Sequence, residues 1–73
     1  MDKISVELTP NEISTINLIL SEEAKRARKR HRFHRRNGHD GAAQVCANAA
    51  RSFSETIRTL DNAKLAALEG TDA

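Results

Sequence analysis

Eight of the chain's twelve lysines and arginines lie between Lys25 and Arg36, in the run KRARKRHRFHRR. The chemistry such a run offers is anion binding. Guanidinium groups present paired donors that match the oxygens of a phosphate. Residues 1–24 carry net −4 (Lys3 against Asp2, Glu7, Glu12, Glu22 and Glu23) and residues 37–73 carry net −2. The overall charge of +2 therefore conceals a local +8. Charge packed so densely repels itself, and an anionic partner offsets that repulsion. Lys25, Arg28, Lys29, Arg32, Arg35 and Arg36 are the candidate anion-binding residues. Arg28, Lys29, Arg32 and Arg36 share one narrow arc of a helix, with Arg26 and Arg30 toward its flank.

Other reactive side chains offer less. His31, His34, His39 and Cys46 have the donor types of a zinc site, and His31 and His34 share one helical face. No close cysteine pair accompanies them, and no metal or other cofactor is expected; His31, His34 and Cys46 stand only as the residues a metal would use. Cys46 is flanked by small residues that supply neither a base nor an oxyanion site, and it reads as a small core residue. Ser52 and Ser54 lack His and Asp partners. The expectation is binding without catalysis.

The elements follow from periodicity. Ile4, Val6 and Leu8 alternate with polar residues, which suggests an extended N-terminal arm or short strand over residues 1–9. Thr9-Pro10-Asn11-Glu12 is a helix start with a capping box. From there Ile13, Ile16, Leu20, Ala24 and Ala27 fall within roughly 80° of arc at about 100° per residue, and His31 and His34 continue the stripe. The basic residues centre on the other side, so the charge run is the outer face of a helix over about 10–36. Asn37-Gly38 supplies a left-handed stop, in a turn over 37–40, and Asp40 can cap a second helix. That helix spans about 41–69, with Ala42, Cys46, Ala49, Phe53, Ile57, Leu60 and Ala67 on one face. Gly70 ends it, and Gly70–Ala73 reads as a frayed tail.

So short a turn forces the two helices antiparallel. The fold class is thus all-α, a single-domain hairpin. Its register sets Leu20 near Ile57, Ile16 near Leu60, Ala24 near Phe53, His31 near Cys46 and His34 near Ala43. Seventy-three residues with two phenylalanines make a thin core, so an oligomer is expected. Leu18, Ile19 and Phe33 lie off the stripe and are candidates for a subunit interface. A single cysteine rules out an internal disulfide and, with no apolar run long enough to span a bilayer, suggests a cytoplasmic setting without a membrane partner.

Two resemblances bear on function. The strand-like KISVEL before a capped helix resembles the start of the ribbon-helix-helix DNA-binding family, but that family's first helix is short. Here no Gly or Pro interrupts the chain between Asn11 and Asn37. The opening LTPNEISTIN, a long helix, a turn and then AARSFSETIR resemble the small helical-hairpin proteins of phages that sequester cyclic nucleotide signals of bacterial immunity. The likeness covers roughly residues 8–60. It implies an oligomer that evades host immunity by trapping a phosphorylated nucleotide between hairpins without turning it over. The aromatic residue expected in that family's arm is missing, since Val6 and Glu7 occupy the stretch, so no ligand-binding residue carries over. Three functional expectations result: a phage-type nucleotide sponge, a small basic DNA- or RNA-binding regulator, or a protein inhibitor that docks on an acidic partner. Sequence readout of DNA is disfavoured, because the run has no Asn or Gln among its arginines. Single-strand binding is disfavoured too, because only Phe33 could stack a base.

Overall fold

Thr9 and Glu12 start the first helix by satisfying each other's backbone. The Glu12 N–H donates to Thr9 Oγ1 at 3.1 Å, and the Thr9 N–H donates to Glu12 Oε1 at 2.8 Å. In the computed structural model, which describes residues 2–70, this box opens α1 (Pro10–Arg36), and a short turn leads to α2 (Asp40–Gly70). Among the described residues no strand forms. Residues 2–9 precede α1 without regular structure, with Ile4 and Val6 exposed and Leu8 half-buried. Met1 and residues 71–73, which include most of the expected frayed tail, lie outside the described residues.

The turn is a Schellman closure. The His39 N–H donates to His34 O at 2.8 Å and the Gly38 N–H to Arg35 O at 3.3 Å. Gly38 carries the left-handed backbone this needs, at φ +73. The Asn37 side chain also donates, from Nδ2 to Phe33 O at 2.7 Å. α2 then begins one residue earlier than its sequence pattern suggests. His39 O accepts from the Ala43 N–H, so His39 stands in the cap position. Asp40 lies inside the first turn, where a negative charge is favoured by the helix dipole.

Burial follows alternating steps of three and four residues in both helices. In α1 the positions are Pro10, Ile13, Asn17, Leu20, Ala24, Ala27, His31 and His34; in α2 they are Ala43, Cys46, Ala50, Phe53, Ile57, Leu60 and Lys64. All are buried or half-buried. A strict seven-residue repeat on two facing helices is the seam of an antiparallel coiled coil. This explains two departures from the expected face of α2. Ala42 is exposed and Ala43 buried, because the seam advances by 3.5 residues per turn rather than 3.6. Ala67 keeps the seam phase but is exposed, since it lies level with the start of α1.

Polar pairs across the seam fix the register. Asn17 Nδ2 donates to Asp61 Oδ1 at 2.7 Å, and Lys64 Nζ donates to Ser14 Oγ at 2.8 Å. Both pairs match, to within about a residue, the register expected from the turn. Asn17 Oδ1 is buried without a hydrogen-bond partner. The tightest packing belongs to small residues. Ala24, Ala27, Ala43 and Ala50 are buried, with Ile13 the one large aliphatic among the buried hydrophobics. The resulting molecule is one layer of helices, 55 × 26 × 14 Å along its principal axes.

Two outcomes are expected. Ala24 is 1% exposed, so Ala24→Leu should lower the unfolding free energy by about 1–3 kcal/mol through overpacking. Urea denaturation measures this, and a neutral substitution would show that the helices do not approach so closely. The Glu12 carboxyl is held below its ordinary value, chiefly by the Thr9 backbone N–H and then by the Thr9 hydroxyl. Its stabilising effect is therefore full above the unfolded carboxyl pKa and is lost as pH falls through the lower folded value. A pH series of thermal melts should show that loss in the parent, and Glu12→Gln should flatten it.

Candidate anion-binding face

The seam decides where the charges go. In the second half of α1 its positions are taken by Ala24, Ala27, His31 and His34, so the intervening cations point outward. Lys25, Arg28, Lys29, Arg32, Arg35 and Arg36 are all exposed, and at about 100° per residue they gather on one broad side of the hairpin. Arg26, Arg30 and Phe33 point to the other side. The face expected from the sequence is thus brought together by the fold. At about 1.5 Å per residue it runs some 16 Å along the helix axis.

Only the start of the run is neutralised. Lys25 lies 3.5 Å from Glu22 and Arg26 lies 2.9 Å from Glu23, in exposed pairs one helical turn apart. Pairs so exposed contribute little. From Arg28 onward, Arg28, Lys29, Arg30, Arg32, Arg35 and Arg36 have no ion-pair partner among the described residues. Arg32, Arg35 and Arg36 line a shallow hollow of about 230 Å³. A hollow of about 320 Å³ at the far end of α1, lined by Asn11, Glu12, Thr15 and Ile16, brings no cation with it.

The histidines belong to the seam and the turn. His31 Nδ1 lies 2.9 Å from Ala43 O, so that nitrogen carries a proton and donates across the hairpin. His31 was expected beside Cys46; its hydrogen bond instead goes to the backbone one turn nearer the loop, which the long imidazole reaches. His34 Nδ1 lies 3.2 Å from His39 Nδ1, a contact in which one ring donates and the other accepts. Phe33 meets His34 edge-on, with centroids 5.3 Å apart. Among the described residues no three His, Cys, Asp or Glu side chains come together to hold a metal ion. Cys46 is a half-buried free thiol.

One further cation joins the basic side. Arg51 of α2 is exposed and follows Ala50 by one residue, which turns it toward the side that carries Arg28. It stands outside the basic run, and only the phase of the seam reveals it.

Chemically, the face is an open array of exposed donors with no acid, base or nucleophile among them. No helix among the described residues is long and apolar enough to cross a membrane. In comparisons with known proteins, no family model, no curated protein and no solved structure matches the chain.

Self-repulsion among the unpaired cations predicts a salt effect. Screening should raise the thermal midpoint as sodium chloride increases. Replacing Arg28, Arg32 and Arg36 with Gln should raise the midpoint at low salt and shrink its salt dependence. Differential scanning calorimetry checks both, and a midpoint that falls with salt in the parent would show that the face is not self-repelling.

Proposed function

We propose that this protein binds a polyanion without chemical turnover, and that the polyanion is the phosphate backbone of a double-stranded nucleic acid. The observation that carries the reading is the row of exposed cations from Arg28 to Arg36 without ion-pair partners. A row spread along about 16 Å of helix suits a ligand that repeats its charge along its length. Duplex DNA does so, with one phosphate per about 3.4 Å of axis on each strand. A small phosphorylated ligand is usually held in a concave site by donors converging from several sides. The absence of Asn or Gln from the run favours contact with backbone rather than base edges.

A second reading has its own observation. Three arginines line the 230 Å³ hollow at the end of α1, which suits one phosphate group of a nucleotide. This is the form in which nucleotide sequestration, expected from the resemblance to phage hairpin proteins, enters the proposal. Docking on an acidic protein has no feature of its own to favour it.

Fluorescence anisotropy with a labelled duplex, at two salt concentrations, tests the first reading. Affinity should fall steeply with salt. The variant with Arg28, Arg32 and Arg36 changed to Gln should bind more weakly, with a log–log salt slope shallower by about three, since each phosphate contact contributes about 0.9. Gln preserves helix propensity, so the loss reports charge and not folding. Unchanged affinity in the variant would overturn the reading. Calorimetry against a cyclic dinucleotide tests the second, which requires saturation at a fixed ligand-to-chain ratio and a weak salt slope.

A further inference from the structure

The turn brings together two imidazoles that lie outside the row of cations. His34 and His39 both keep the phase of the seam, one on each side of the loop, so their rings meet at its end. Their Nδ1 atoms lie 3.2 Å apart, and the ring centres stand 5.5 Å apart with the planes tilted by 45°. The rings therefore meet nitrogen to nitrogen and do not stack. His39 is exposed and His34 half-buried, so the contact is open to solvent.

This contact depends on one proton. It needs an N–H on one Nδ1 and a lone pair on the other. When both rings are protonated, two N–H groups point into the same gap and the bond between the rings is lost. An acceptor that serves both donors must then take its place. A phosphate oxygen does this with charge assistance from each side.

The surroundings favour an anion there. Arg30, Arg32, Arg35 and Arg36 lie within about one turn of His34 along α1, without ion-pair partners among the described residues. The one carboxylate as near in the chain is Asp40 of α2. His31 is committed through Nδ1 to Ala43 O, and Cys46 lies about two turns further along α2. A metal ion in the gap would face the same four arginines, and among the described residues no third ligand joins the pair.

We propose that His34 and His39, when both are protonated, clamp one phosphate oxygen of the bound polyanion. Phosphate binding at the turn is then coupled to proton uptake. The inference rests on the polyanion reading and adds its regulation. An ordinary imidazole gains its proton near pH 6.5, so acidification tightens the grip of the loop end.

Fluorescence anisotropy with the labelled duplex, on the full chain at pH 7.5 and at pH 5.5 in the same salt, provides the test. For the parent, affinity should be about tenfold higher at pH 5.5, with a log–log salt slope steeper by about 0.9 for one added phosphate contact. The variant with His34→Gln and His39→Gln together should lose most of that rise. His39→Gln alone repeats the test in case changing the half-buried His34 unfolds the chain, since His39 is exposed. No binding at either pH would remove the polyanion reading and this inference with it. Binding that does not tighten at pH 5.5, or tightening that survives in the folded variants, would overturn this inference alone.

Discussion

Everything in this hairpin depends on how closely α1 and α2 approach near the turn. Ala24, Ala27, Ala43 and Ala50 are buried there, and such short side chains let two backbones come near enough for His31 to hydrogen-bond Ala43 O. Close contact without bulk makes dispersion the main gain and leaves little area to bury. The seam must therefore hold its phase over many turns, and the seven-residue repeat does this. Once the phase is fixed, every remaining position is assigned a side. The cations of the run reach solvent because alanines and histidines have taken the seam.

Much of this was legible in the residues. The capping box, the Asn37-Gly38 stop and the long stripe of α1 are local signals, set by a few neighbouring groups, and the structure follows them. The antiparallel register follows too, because a turn of so few residues leaves no freedom in it. What escaped was the difference between two nearly equal periods. Over α2 a 3.6-residue period favours Ala42, whereas the seam of two mutually wound helices selects Ala43. The polar members of the seam were also hidden. Nothing in the sequence pattern marks Asn17 and Lys64 as partners of Asp61 and Ser14 across the seam. Arg51 could be assigned to the cationic side only after the phase of α2 was known.

The candidate site was legible as composition and not as shape. Sequence located the charges and their shared arc. It did not show that, among the described residues, no acidic side chain pairs with the cations from Arg28 onward. Glu22 and Glu23 are placed one turn too early to do more than pair with Lys25 and Arg26. A chain that needed these cations only for solubility could interleave acids along the same helix at little cost. Here the acids fall elsewhere, so the repulsion persists until something outside the chain neutralises it. That is the physical reason to look for a polyanion, and the length of the row is the reason to prefer a long one.

The antiparallel arrangement also has an electrical consequence. The two helices run in opposite directions, so their macrodipoles largely cancel, and the far field is left to the side chains. These are sorted along the long axis. The positive run lies at the turn end, and most of the acidic residues lie toward the other end of the 55 Å length. A single hairpin is thus a rod with a positive and a negative pole. In the field of a polyanion it experiences a torque as well as an attraction, and it turns its loop end forward before contact. Such orienting reduces the search over angles that limits association of specific patches, and it fades once the distance exceeds the screening length.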